Sequence, residues 1–142
     1  SQLPAWTWDV FCRVIDNYGD IGVCWRLVRD LGARGHRVRL WLDDTAVLPA
    51  LAPGALQGRF PGVQVLPWGD PFDMEILRGQ PPAQVWVEAF GCELPQPFVA
   101  TRRQHEAAWG RPTWINLEYL SAEDFPRRVH GLASPLGNGP AT

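Results

Sequence analysis

A regular alternation of short apolar runs with longer helical patterns is the strongest constraint on how this chain folds. The apolar runs contain many β-branched and aromatic residues, which predicts buried strands at 8–14, 36–42, 62–66, 83–89 and 112–117. Helical patterns lie between these runs, at about 22–34, 44–56, 73–77 and 98–109. Strands and helices that alternate through short connections are typical of an α/β domain. The sequence therefore predicts a parallel sheet flanked by helices.

Composition limits both the class of protein and its partners. The chain has 142 residues, 46% of them hydrophobic and 20% charged, so it can bury a sizeable core and is not disordered as a whole. Its 13 arginines against 15 acidic residues give a net charge of −2, which does not indicate a nucleic-acid partner. No stretch approaches the ~20 apolar residues that a membrane-spanning helix needs. We therefore expect one domain without nucleic-acid or membrane partners.

The spacing of cysteine and histidine argues against disulfides and metal sites. Cys12, Cys24 and Cys92 are odd in number and show no C-x-x-C spacing. The three histidines are far apart, and none has an i, i+4 partner that could complete a metal site. The first residues show no secretory signal pattern. We therefore expect a cytoplasmic protein with reduced thiols and no metal ion.

Polar residues follow the predicted strands at their carboxyl ends, where open parallel sheets bind ligands. Most of them are acidic or amide side chains: Asp16, Asn17, Tyr18, Gly19 and Asp20 after the first strand, Asp43 and Asp44 after the second, Glu88 on the fourth, and Asn116 and Glu118 on the fifth. Few cations are interleaved with them. A row of carboxylates suits a cationic or hydroxyl-rich ligand better than a bare phosphate.

The turn after the first strand allows two interpretations. In the first interpretation, Asp20 stands just before the predicted helix and its only role is to cap the free backbone N–H groups there. Alternatively, Asp16 and Asp20 bracket a glycine-containing turn and form an acid/base or cation-orienting pair. The motifs of classical dinucleotide binding and of P-loop hydrolysis are not present, since no G-x-G-x-x-G occurs and the chain has no lysine.

Long literal strings in the sequence resemble one known family. The run over 9–27, DVFCRVIDNYGDIGVCWRL, is similar to the opening of the EarP family of protein-arginine rhamnosyltransferases. Further strings follow in the family's order at 38–44, 88–95 and 114–123. The resemblance spans about residues 8–135 and is more specific than a spaced motif.

The resemblance implies a fold and an activity. EarP enzymes have the GT-B architecture, in which two Rossmann-like domains face each other across a cleft. By this resemblance, residues 1–130 are the amino-terminal, acceptor-side Rossmann-like domain, 131–142 are a linker or frayed end, and the carboxy-terminal donor-binding domain is absent. The family transfers L-rhamnose from dTDP-β-L-rhamnose to an arginine of translation elongation factor P, inverting the anomeric centre without a cofactor or metal. A domain alone is expected to be inactive.

The resemblance also implies roles for the residues of the turn. Asp20 matches the family's proposed general base, and Asp16 matches its essential partner. Asn17, Tyr18 and Gly19 would shape the sugar end of the donor pocket. The partner would be the amino-terminal, KOW-like domain of elongation factor P. Two alternatives stay open, namely a module that binds elongation factor P without activity of its own and a stand-alone α/β nucleotide-binding domain.

Overall fold

The computed structural model describes residues 5–14, 19–104, 106 and 110–117, and in these ranges the chain forms a five-stranded sheet. All the strand pairs are parallel. The strands are β1 (Thr7–Cys12), β2 (Arg37–Leu42), β3 (Val63–Pro67), β4 (Val85–Ala89) and β5 (Thr113–Leu117). Their spatial order is β3-β2-β1-β4-β5, so β1 lies in the centre. The predicted α/β fold with a parallel sheet is confirmed.

The helices lie in the predicted connections. They are α1 (Gly19–Ala33), α2 (Leu48–Leu51), α3 (Met74–Arg78) and α4 (Gln96–Arg103), with a 3-10 turn over Thr45–Val47 before α2. The main difference from the prediction is that α1 begins at Gly19 and not near residue 22, so Asp20 lies inside the first turn. An acidic residue is favourable there because the amino end of a helix dipole is positive.

Some predictions fall outside the described residues. These include the boundary at residue 130 and the expected linker over 131–142. Among the described helices, none combines the length and the apolar character needed to cross a membrane.

Side-chain alternation along the strands divides the buried residues into two cores. On one face, Val10 and Cys12 of β1 pack with α1; we call this the α1-side core. On the other face, Phe11 packs against Trp41 and Phe98, with ring centroids 5.1 and 4.8 Å away; we call this the aromatic core. Because both faces are covered, the central strands carry nearly continuous apolar sequence.

A buried ion pair joins the two central strands within the aromatic face. Asp9 and Arg39 are register partners on β1 and β2, and they are 0% and 3% exposed. The Arg39 Nε and Nη2 atoms donate to the two Asp9 carboxylate oxygens at 2.6 and 2.8 Å. The Trp41 indole donates to Asp9 Oδ1 at 2.9 Å. The carboxylate therefore satisfies donors from two residues of β2 and ties that strand to β1.

Two further contacts lie near the two edge strands. Near β3, a Cβ added to Gly32 in α1 would lie 2.5 Å from the Pro61 carbonyl oxygen, so the helix and the loop before β3 approach closely at this glycine. At the other border, Trp86 of β4 and Trp114 of β5 form an edge-to-face pair with centroids 5.4 Å apart. The glycine sets the spacing of α1 on one side, and the indole pair joins β5 to its neighbour.

Replacing Gly32 with alanine is expected to lower the free energy of unfolding by ~1–3 kcal/mol, because the new methyl group overlaps a backbone carbonyl that cannot rotate away. The matched control is Gly22→Ala in the same helix, where nothing lies within 4 Å of the added Cβ. That control should be stabilising by ~0.5–1 kcal/mol through helix propensity. Urea denaturation of both variants measures the difference, and equal stabilities would contradict the close approach.

Replacing Asp9 with alanine is expected to lower the free energy of unfolding by ~3–5 kcal/mol, since it leaves the Arg39 charge buried without its partner. Asp30→Ala is the control, because it breaks the exposed Asp30–Arg34 pair in α1 and should change stability by no more than ~0.5 kcal/mol. Thermal and urea unfolding of the two variants test this. Similar losses in both would show that burial of the central pair is unimportant.

Candidate active site

The candidate site lies at the carboxyl edge of the sheet, where β1 ends and α1 begins. Asp20 occupies the first turn of α1 and is buried, with 4% of its surface exposed. The helix is held in place by Ile21, Cys24 and Val28, which pack into the α1-side core. Gly19 is the first residue of the helix. The sequence pattern thus placed Asp20 at the correct edge, and packing of the following helix fixes it there.

Three of the predicted site residues, Asp16, Asn17 and Tyr18, lie outside the described residues. Their roles, and the pairing of Asp16 with Asp20, stay predictions. Glu118, a further acidic residue at a predicted strand end, also lies outside the described ranges.

The main chain leaving β1 is fixed by contacts from two neighbouring connections. The Asp43 carboxylate, directly after β2, accepts a hydrogen bond from the Val14 amide at 2.6 Å. The Trp68 indole, directly after β3, donates to the Cys12 carbonyl at 3.4 Å. The Arg13 guanidinium lies over the Trp68 ring, 4.9 Å from its centroid. These contacts fix the main chain from Cys12 to Val14, directly after β1.

The other strand-end acids have local structural partners. Glu88 Oε2 accepts from the Leu94 amide at 2.9 Å and so closes the connection between β4 and α4. Burial raises the pKa of Glu88, while the bond from the Leu94 amide opposes the rise. Asp44 caps the 3-10 turn by accepting from the Ala46 amide at 3.0 Å. Glu88 and Asp44 are therefore explained by the local main chain, whereas Asp43 acts on the exit of β1.

The three cysteines lie inside the two cores, Cys12 and Cys24 in the α1-side core and Cys92 in the aromatic core. Cys12, Cys24 and Cys92 are free and buried, as the sequence predicts for a chain without a disulfide framework. The pKa of Cys12 is raised above its ordinary value by the neighbouring Cys24 side chain, by burial, and by the negative charges of Asp20 and Asp43. Burial raises the pKa of Cys92 to about 12. Cysteines buried in apolar surroundings are inert, so these three residues serve as packing groups.

Potential metal ligands are dispersed over the described part of the chain. No three His, Cys, Asp or Glu side chains among residues 5–14, 19–104, 106 and 110–117 are grouped so that they could hold a metal ion.

The sequence did not predict the hydrogen bonds that Asp43 and Trp68 form with the main chain at the end of β1. Asp43 was one of several acids at strand ends, and nothing in its spacing distinguished it from Asp44. Trp68 is buried in the aromatic core, and its indole N–H also donates to the Cys12 carbonyl at the end of β1. Since the partners are 29 and 56 residues apart in sequence, only the folded sheet reveals these contacts.

Because the folded state raises the pKa of Glu88, its stabilising contribution is present below pH 4.5 and is lost as the pH rises through the folded-state pKa. Glu88→Gln keeps an acceptor for the Leu94 amide and removes the charge. We expect this variant to be more stable than the wild type at pH 7 and to gain no advantage at pH 4. Urea denaturation across this pH range measures the difference, and a variant destabilised equally at both pH values would contradict it.

Comparisons with known proteins agree with the resemblance noted in the sequence. The chain matches the family model described as "Elongation-Factor P (EF-P) rhamnosyltransferase EarP" over residues 8–142. A protein-arginine rhamnosyltransferase of Pseudomonas putida is 46% identical over 138 residues, covering 94% of this chain and 34% of the relative. The enzyme of the same name from Shewanella oneidensis is 44% identical over 140 residues, covering 93% of this chain and 34% of the relative.

A more distant relative shows the same coverage. The protein-arginine rhamnosyltransferase of Neisseria meningitidis serogroup B is 39% identical over 137 residues, covering 94% of this chain and 34% of the relative. The chain therefore spans about a third of the length of the curated relatives it matches. Since the family model covers nearly all of its residues, this chain belongs to the EarP family.

Proposed function

We propose that this chain is the acceptor-side domain of an enzyme that transfers L-rhamnose from dTDP-β-L-rhamnose to an arginine of translation elongation factor P. The observation that carries the proposal is the placement of Asp20, a buried carboxylate in the first turn of α1 at the ligand-binding edge of the sheet. Membership of a family described as elongation factor P rhamnosyltransferases supports this assignment.

An arginine acceptor explains why such a site would be acidic. A guanidinium ion has a pKa above ~12 and no free lone pair, so it is a poor nucleophile. Carboxylates hold it by charge-assisted, bidentate hydrogen bonds and fix the direction of its nitrogens. In the proposed site, Asp16 and Asp20 together orient the guanidinium so that one nitrogen points at C1 of the sugar.

The proposed reaction is a single displacement with inversion at C1. The guanidinium nitrogen forms a bond to C1 while the bond from C1 to the phosphate oxygen breaks and dTDP leaves. The attacking nitrogen becomes far more acidic as the new bond forms, and the Asp20 carboxylate takes its proton. One base is sufficient, no covalent enzyme intermediate forms, and the step as proposed uses no metal ion.

The remaining residues of the turn would serve the donor. Asn17, Tyr18 and Gly19 would shape the sugar end of the pocket, with Gly19 permitting close approach of the backbone. Most contacts to the nucleotide would come from a second Rossmann-like domain in a GT-B arrangement. The amino-terminal, KOW-like domain of elongation factor P would dock on the domain formed by this chain, in the cytoplasm.

Two substitutions test the proposal in a full-length chimaera, in which this chain replaces the matching third of the Pseudomonas putida relative. Asp20→Asn is expected to lower the rate of transfer at least ~100-fold, because it removes the base. Asp16→Ala is expected to lower it at least tenfold, or ~1.4 kcal/mol, because one acid alone orients the guanidinium poorly. Mass spectrometry of elongation factor P, which detects the added rhamnose, gives the rates.

The matched control is Asp30→Asn, which removes one negative charge from the same helix at an exposed position. It should leave the rate within about twofold of the unsubstituted chimaera, because exposed surface charges contribute little. An Asp20→Asn variant that folds and retains the unsubstituted rate would disprove the role of general base. An unsubstituted chimaera that folds, binds the donor and modifies no arginine would disprove the proposed activity.

A further inference from the structure

A cavity of about 350 Å³ lies at the amino edge of the sheet, opposite the edge that carries Asp20. Its volume is within the range of ~300–1,000 Å³ that is usual for small-molecule sites. Its walls come from the first residues of β1, β2 and β3, from the loop before β3 and from the loop between α3 and β4. The length of β2, six residues or ~17 Å, separates the two edges, so this cavity is distinct from the candidate active site.

Two arginines of β2 line the cavity. Side-chain alternation places Arg37 and Arg39 on the same face of the sheet as Trp41, which belongs to the aromatic core. Arg37 is exposed, and no ion pair among the described residues includes it. Arg39 is buried and donates from Nε and Nη2 to Asp9, so that carboxylate does not use its Nη1 atom. The cavity therefore has an unneutralised positive charge at its rim and a guanidinium group in its wall.

A third arginine lies behind the loop between α3 and β4. The buried Arg102 donates from Nη2 to the carbonyl oxygens of Gln80 and Pro81 at 2.9 and 3.3 Å, and both of these residues line the cavity. Its Nε atom is buried without a hydrogen bond to any described residue, and the ion pairs of the described ranges do not include it. Burial and the charge of Arg39 lower the pKa of Arg102, while Asp9 opposes the change. Two buried guanidinium groups thus share one buried carboxylate.

This charge balance favours an anion in the cavity. Buried charge is costly unless an opposite charge balances it. A guanidinium group binds phosphate or carboxylate oxygens through parallel N–H donors, so an oxyanion is the matching ligand. Phe60 and Pro61 add apolar wall to the same cavity, and Gln64 adds an amide. A cavity of this volume with these walls suits an organic anion better than a bare inorganic ion.

We propose that this cavity is a second binding site, which takes a small organic anion and holds its phosphate or carboxylate group with Arg37 and Arg39. The bound group supplies the negative charge that Asp9 alone does not provide for the arginines. The apolar walls contact the remainder of the molecule. Because the cavity and Asp20 lie at opposite edges of the sheet, the inference does not depend on the proposed transfer reaction.

NMR titration of the isotopically labelled chain tests the site with three probes, namely phenyl phosphate, phenylacetate and inorganic phosphate, at an ionic strength kept constant with chloride. We expect the backbone amide signals of Arg37, Gln64 and Gln80 to shift saturably with at least one of the two ring-bearing probes. Tighter binding of phenyl phosphate would identify a phosphate ligand, and tighter binding of phenylacetate a carboxylate. Inorganic phosphate should bind more weakly than the preferred ring-bearing probe, because it makes no apolar contact.

Arg37→Gln is expected to weaken binding of the preferred probe about tenfold, because a hydrogen bond between charged groups is lost. The matched control is Arg29→Gln, which removes the same charge from an exposed position of α1 and should stay within twofold. Arg39 is left in place, since its removal would leave Asp9 buried without its partner.

Three results would overturn the proposed site. They are shifts that fail to saturate with both ring-bearing probes, equal dissociation constants for the wild type and Arg37→Gln, and binding of inorganic phosphate as tight as that of the ring-bearing probes. None of them would affect the proposed transfer to elongation factor P, which is measured by the modification of that protein and depends on the opposite edge of the sheet.

Discussion

The position of β1 in the middle of a parallel sheet determines most of this structure. Its even-numbered side chains, such as Val10, enter the α1-side core, and its odd-numbered ones, such as Phe11, enter the aromatic core. The strand pairs with β2 on one side and β4 on the other, so its carboxyl end is surrounded by other strand ends. The chain therefore leaves β1 at the edge where open parallel sheets bind ligands, and Asp20 lies at this edge in the first turn of α1.

Much of this arrangement could be predicted from the sequence. The strand cores were found because each is a short apolar run, and their ends were missed by up to two residues because hydrophobicity does not mark where pairing stops. The start of α1 was predicted too late, near residue 22, because glycine is typical of turns. Only the folded structure shows that Gly19 begins the helix. The pairing of Asp9 with Arg39 could not be predicted, because their contact depends on strand register across 30 residues. The hydrogen bond between Asp43 and Val14 could not be predicted for the same reason, since the two residues are 29 positions apart. The position of Asp20 at the carboxyl edge of the sheet could be predicted, because it follows from the order of strands and helices.

The two faces of the sheet contribute differently to the site. The aromatic face contains the buried charges of Asp9 and Arg39, which pair with each other and join β1 to β2. Arg102, also on that side, donates to the Gln80 carbonyl, and burial lowers the pKa of its guanidinium. The α1 face places the buried Cys12 and Cys24 among apolar side chains. Negative charge at the carboxyl edge is thus set against an apolar background, in which electrostatic interactions with a cation are stronger than in water.

The edge-to-face contact of Trp86 with Trp114 has a spectroscopic consequence. Two indoles at 5.4 Å and 68° are close enough for their electronic transitions to couple, which produces a paired band in circular dichroism. One indole is on β4 and the other on β5 at the border of the described sheet, so the band exists only while those strands are joined. The circular dichroism of these two tryptophans thus reports on β5 without any added chromophore. It distinguishes the loss of β5 from the unfolding of the central strands.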